Sequence, residues 1–212
     1  STQSRSSAAS DVYKRQGKDV RVIHLHPSSH AGYYPGAAQL HMKMIVDAES
    51  DAILGAQIVG EEGVDKRIDV IATAMRAGLS ATDLADLELA YAPQFGSAKD
   101  PINFAGFIND NIARGEKTVQ WHELDERLAS GALLVDVRSP EEFASGAIPG
   151  AVNIPLDELR VRHEEIADHD DVIVHCQVGL RGHNAARLLT NLGYDVANLD
   201  GGYLTWTNGQ ED

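Results

Sequence analysis

The chain holds a single cysteine, Cys176, among its 212 residues. It heads the run Cys176-Gln177-Val178-Gly179-Leu180-Arg181, with four residues between the cysteine and the arginine. An apolar stretch, Asp171-Val172-Ile173-Val174-His175, precedes the run, and a helical pattern, Asn184-Ala185-Ala186-Arg187-Leu188-Leu189, follows it. A strand that delivers a cysteine into a tight loop at a helix N-terminus makes an anion cradle. Backbone N–H groups converge there, the helix dipole adds partial positive charge, and Arg181 adds a full one. The same field favours the nucleophilic thiolate. Cys176 and Arg181 are therefore the candidate catalytic residues, and Gln177, Val178, Gly179 and Leu180 the residues that would bind substrate through their backbone. The plain alternative is that Cys176 is only a small buried residue. His175 precedes the thiol, but consecutive strand side chains face opposite sides, so it is not expected to activate the cysteine. His183 is expected to pack or face solvent, and Asp168-His169-Asp170-Asp171 to form a solvated turn.

The elements needed to position this loop are legible in the pattern. Before it, Val20 to His26 is β-rich. Ala38 to Asp47 reads as a strand with Leu40, Met42, Met44 and Val46 on one face, and Ala52 to Gly60 reads as the next, a meander. Asp65 to Ala77 has helical spacing through Ile68, Ile71, Ala72 and Met75, with Gly78 as its C-cap. Thr82-Asp83-Leu84 opens a short helix under an Asp cap. Asp100-Pro101 starts another that runs to Gly115. The polar stretch Arg114 to Thr118 is the expected boundary between a domain over residues 17–115 and one over residues 116–212.

A four-residue loop is one residue shorter than that of cysteine-dependent phosphatases and better suits a sulfur atom carried as a persulfide. With the surrounding runs, residues 118–209 resemble the rhodanese (sulfurtransferase) family. The carrying residues are Leu133-Leu134-Val135-Asp136-Val137-Arg138, Glu141-Glu142-Phe143, Gly146-Ala147-Ile148-Pro149-Gly150-Ala151-Val152-Asn153-Ile154-Pro155, Leu199-Asp200-Gly201-Gly202-Tyr203 and Trp206. Ala147 stands where the family usually has histidine. The resemblance implies a parallel five-stranded α/β sheet with sulfur transfer through Cys176. The donor would be thiosulfate or a low-molecular-weight persulfide, and the acceptor a thiol.

Residues 20–112 resemble the dimerisation domain of FAD-dependent pyridine nucleotide–disulfide oxidoreductases, in the coenzyme A-disulfide reductase and persulfide reductase branch. The carrying runs are His26 to Ala37, Gly55 to Gly60, Asp65 to Asp69 and Glu88 to Asn103. Some members of that branch carry a rhodanese domain directly after the dimerisation domain, the order found here. The expected fold class is thus α/β plus α+β, an antiparallel sheet with helices followed by the rhodanese-like domain. The resemblance implies a homodimer in the full-length enzyme. There Tyr33 and Tyr91 would reach toward the partner's disulfide-reducing site as accessory acids or hydrogen-bond donors. The parent would use FAD and NAD(P)H. No G-x-G-x-x-G run occurs in this sequence, so neither nucleotide-binding fold is expected here, and the dimerisation domain is expected to lack its opening strand. The chain reads as the C-terminal fragment of such a flavoenzyme and binds no cofactor itself.

Composition narrows the rest. A formal charge of −14, concentrated after residue 116, argues against nucleic acid or an anionic membrane as partner. One cysteine excludes an intrachain disulfide framework and fits a reducing, cytoplasmic setting. No apolar run reaches membrane-spanning length. His24, His26 and His30 form an H-x-H-x3-H set without supporting carboxylates or cysteines, so no metal is expected. Residues 1–16 read as a disordered tail. Asp11-Val12-Tyr13-Lys14-Arg15-Gln16 can be back-translated into a transposon end used in sequencing adaptors, so the tail is taken as non-native. Two other functions stay open at this point. One is a cysteine phosphatase or arsenate reductase on the rhodanese fold; the other is a non-catalytic dimerisation and sulfur-docking module.

Overall fold

The computed structural model describes residues 17–210; the expected tail over residues 1–16 lies outside them. The chain divides into two compact units, one ending at Gly115 and the other starting at Glu116.

The first unit is built on an antiparallel sheet in the order β1 (Val20–Leu25), β2 (His41–Asp47) and β3 (Ile53–Val59). Alternation works as the pattern requires: Leu40, Met42, Met44 and Val46 are all buried, facing Ile23, Leu25, Ile71 and Ile102 in one core. β2 is shorter than expected. Ala38 to Leu40 leave the ladder, with the Leu40 N–H donating to Pro27 O at 2.8 Å instead. A register shift at Ile45/Val46 lets both side chains be buried. Helix α1 (Val64–Ala77) ends at Gly78 with φ 74°, whose N–H bonds the carbonyls of Ala74 and Met75. Met75, expected on its apolar face, is exposed because the buried stripe runs through Ile71 and Ala74.

The segment at Thr82 is a short 3-10 helix, Thr82–Asp86, whose N-cap residue is Ala81 with no side-chain cap bond; Ser80 N–H donates to Asp83 and Asp83 N–H to Ser80 Oγ across its start, while Thr82 N–H donates to Asp51 Oδ2 at 2.9 Å. Helix α2 (Pro101–Ala113) stops two residues before the expected Gly115. Asp100 caps it in a reciprocal box with Asn103 and also binds the buried Arg67, Nη2 to Oδ2 at 2.9 Å. Arg67 in turn donates to Ser29 O at 2.7 Å, which fastens the Ser29–Gly36 loop to the helices.

The second unit is a parallel five-stranded sheet in the order β4-β8-β7-β5-β6, where β4 is Lys117–Val119, β5 Leu133–Asp136, β6 Val152–Asn153, β7 Val172–His175 and β8 Val196–Leu199. Every residue of β7 and β8 is buried, as a strand covered on both faces demands. Val135, Val172, Val174 and Ala185 fill one side; Leu134, Ile173, Ala197 and Leu199 fill the other. The helices are α3 (Leu124–Ala129), α4 (Pro140–Ala144), α5 (Leu156–Arg162), α6 (Leu180–Asn191) and α7 (Gly202–Gly209). This is the expected pairing of an antiparallel sheet with helices and a parallel α/β sheet. Among the described residues no helix is long and apolar enough to cross a membrane.

Candidate active site

Strand β7 is central, and the chain leaves its carboxyl end at Cys176 with β8 on one side and β5 on the other. The loops following all three strands converge there, the usual place for a ligand in an open parallel sheet. Gly179 turns the chain with φ 101° and caps α6. Its N–H donates to Cys176 Sγ at 3.2 Å, so the sulfur, with the cysteine 1 % exposed, sits at the head of the helix. The first turn of α7 fixes the loop from below: Tyr203 N–H donates to Cys176 O at 2.8 Å and Leu204 N–H to Gln177 O at 3.0 Å. Asn198 at the end of β8 donates to Gly179 O at 3.3 Å. The rest of the loop is more open: Gln177, Val178 and Gly179 are half-buried and Leu180 is exposed.

Arg181 lies in the first turn of α6, where a cation opposes the helix dipole. Glu142 on α4 offsets it with a two-point contact, Nη1 to Oε2 at 2.7 Å and Nη2 to Oε1 at 2.6 Å. The guanidinium holds the Glu142 carboxyl down at about 2, and the same contact, with Cys176 adding to it, raises Arg181 above its ordinary value. Glu142 serves its own helix too, accepting from Ser139 N–H at 2.9 Å in a capping box.

A second arginine, which sequence reasoning did not single out, reaches the loop. Arg138 is 2 % exposed and bound to the fully buried Asp136, Nη2 to Oδ2 at 2.7 Å and Nε to Oδ1 at 3.1 Å. It also donates to Gln177 Oε1 at 3.1 Å and Gly146 O at 2.7 Å, and its guanidinium lies 4.2 Å from the Tyr203 ring centre. An Asp-x-Arg pair closing an apolar strand was the available signal: such charges are buried only when paired. His175 is buried behind the loop. Its Nδ1 lies 3.4 Å from Cys176 O and its Nε2 3.6 Å from Asp136, and burial pushes its pKa down to about 4. His183 is hydrogen-bonded to Glu116 at 2.6 Å. Of the acidic run, Asp171 is drawn into a two-point pair with Arg127.

The structure brings Cys176, Gln177, Val178, Gly179, Leu180 and Arg181 together. Tyr33 and Tyr91 belong to the other unit, where their hydroxyls meet at 2.9 Å on an exposed surface, a bond that raises the Tyr33 pKa. His26 bonds His41, Nδ1 to Nδ1 at 2.9 Å, and burial lowers its pKa to about 3, whereas His30 bonds Ala31 O. His24, His26 and His30 thus do not form one ligand set, and among the described residues no group of three or more His, Cys, Asp or Glu side chains is arranged to hold a metal.

Comparison with known proteins gives two family matches. Residues 120–209 match the rhodanese-like domain. Residues 9–100 match the pyridine nucleotide-disulphide oxidoreductase dimerisation domain, a match that begins inside the stretch set apart as a tail. The crystal structure of reduced CoADR-RHD from Bacillus anthracis is 49 % identical over 92 % of this chain and 35 % of that one, with a TM-score of 0.89. An NAD-dependent persulfide reductase from A. fulgidus is 36 % identical over the same shares, with a TM-score of 0.82. A coenzyme A disulfide reductase of Staphylococcus aureus is 43 % identical over 89 residues, which are 42 % of this chain and 20 % of that protein. The chain therefore spans about a fifth of the length of the curated relatives it matches and about a third of the similar solved structures.

Proposed function

Because this chain joins a pyridine nucleotide-disulphide oxidoreductase dimerisation domain to a rhodanese-like domain, homologous to the C-terminal region of coenzyme A-disulfide and persulfide reductases, we propose that its second unit is a sulfurtransferase working through a Cys176 persulfide. The observation that carries the reading is Cys176 Sγ receiving the Gly179 N–H at the head of α6. The Cys176 thiolate attacks the outer sulfur of thiosulfate or a low-molecular-weight persulfide. The new terminal sulfur bears negative charge, and the N–H groups around Gly179 and the α6 dipole stabilise it. Arg181 fixes the loop through Glu142, and a thiol acceptor then removes the sulfur. A phosphatase or arsenate reductase would wrap a larger tetrahedral anion; a loop of four residues pinned from below by Tyr203 and Leu204 favours the single sulfur.

In the parent enzyme, the partner reaction would be reduction of a persulfide, polysulfide or coenzyme A disulfide with FAD and NAD(P)H in a homodimer. Tyr33 and Tyr91 would be accessory donors there. Neither cofactor fits the described residues: their first sheet is antiparallel, and the strand-to-helix turn after β7 carries Cys176 rather than a dinucleotide turn.

The test is intact-protein mass after exposure to thiosulfate or a small persulfide. The expected result is a gain of one sulfur atom, lost on adding cyanide or thiol and absent from Cys176→Ser. A folded sample that gains no sulfur from either donor would overturn the reading.

A further inference from the structure

The positive charge at the cysteine loop is largely cancelled before any donor arrives. Arg181 is bound at two points by Glu142, and Arg138 is bound at two points by Asp136. Glu142 stays ionised under any working condition, since Arg181 holds its carboxyl at about 2. Beyond the attraction between Arg181 and Cys176 that helps raise the arginine, what remains to attract an anion is the set of partial charges on backbone N–H groups, beginning with that of Gly179. Beside it the mouth presents Leu180, which is 60 % exposed, rather than a further cation. Partial charges suffice for a sulfur bearing one negative charge. A dianion loses more of its hydration and gains no uncancelled full charge in return.

We propose that Glu142 is a specificity-determining positioning residue: by holding Arg181 it withholds a full cation from the incoming donor, so that singly charged persulfides charge Cys176 in preference to dianionic thiosulfate. This rests on the sulfurtransferase reading. The step is balanced with either donor. The Cys176 thiolate forms a bond to the outer sulfur, the bond from that sulfur to the rest of the donor breaks, and its electron pair leaves on an organic thiolate or on sulfite. No external oxidant or reductant takes part.

The experiment is single-turnover charging of the whole chain, followed by mass, with two probes. One is the persulfide of N-acetylcysteamine, a neutral body with one ionisable sulfur; the other is thiosulfate. Glu142→Gln removes the charge while keeping an oxygen to accept from Ser139 N–H, so the α4 cap survives. Expected is a rise of about tenfold in the ratio of the thiosulfate to the persulfide rate constant at subsaturating donor, carried by the KM for thiosulfate. A merely structural role would slow both donors alike. Leu180→Arg adds an uncancelled cation at an exposed position and should move the donor ratio the same way; it decides the question should Glu142→Gln fail to fold. An unchanged ratio, or wild-type protein charged faster by thiosulfate than by the persulfide, overturns the proposal and leaves sulfur transfer standing. No charging by either probe overturns both.

Discussion

His175 lies directly under the reactive loop, fully buried, with a pKa that burial holds near 4. Unfolded, the same imidazole titrates near 6.5. Between those values the unfolded chain binds more protons than the folded one, so this group's contribution is complete above about pH 6.5 and is lost as pH falls toward 4. The difference corresponds to roughly 3 kcal/mol. Urea unfolding followed by tryptophan fluorescence reports on the second unit, which holds both tryptophans, Trp121 and Trp206. Wild type should lose stability over that window, and His175→Phe should lose markedly less; parallel pH profiles would remove His175 as the cause. Residues at this scale differed in how far the sequence revealed them. Cys176 and Arg181 were legible because their spacing along one loop is itself the signal. Glu142 lies 39 residues from Arg181, and Arg138 lies 39 residues from Gln177. Contacts of that kind are made by the packing of α4 and β5 beside β7, and no local pattern encodes them.

At the scale of elements, the loop owes its shape to the helix that follows β8 rather than to its own residues alone. Gly202, with φ 66°, opens α7, and a Cβ there would come within 2.5 Å of Cys176 O and 2.9 Å of Gly179 N. That close approach lets α7 donate to the carbonyls of Cys176 and Gln177. Gly202→Ala therefore forces helix and loop apart as well as straining the backbone. It should destabilise the unit by at least about 2 kcal/mol and slow charging of Cys176 even where the variant is fully folded. Gly193 is the comparison: φ is 95°, but a Cβ meets nothing within 4 Å, so Gly193→Ala should cost about 1 kcal/mol through backbone strain and leave charging unaltered. Equal charging rates in the two variants would show that α7 does not shape the loop. The sequence placed most elements because periodicity is local: the stripe Leu40, Met42, Met44, Val46 and the fully apolar Val172–Val174 each state their burial. It missed the start of β2 and the acceptor at the start of the Thr82 helix. Both depend on partners elsewhere, Pro27 O for the Leu40 N–H and Asp51 Oδ2 for the Thr82 N–H.

At the scale of the whole molecule, a net charge of −14 and an exposed aromatic cluster pull in opposite directions. Tyr33 is 76 % exposed, Phe95 68 % and Tyr91 51 %, and the segments carrying them are tied together by the Ala31 N–H to Gly96 O bond at 3.0 Å and by the tyrosine hydroxyl pair. A fixed apolar surface of this kind gains by being covered. Like charges on two copies resist that approach, but salt screens them over about 8 Å at 0.15 M ionic strength. The chain should therefore dimerise reversibly, more tightly as salt is raised, whereas an association driven by ion pairs would weaken. Replacing Tyr33 and Phe95 together by serine should weaken the dimer by at least about tenfold, because two of the largest covered side chains are lost. Tyr33→Phe removes only a hydroxyl and should leave the dimer nearly as tight, which separates covered area from the hydrogen bond to Tyr91. Sedimentation equilibrium across a salt series distinguishes these cases. A monomer persisting at about 0.1 mM, equivalent to less than about 5.5 kcal/mol of association, would show that the cluster does not bring two copies together.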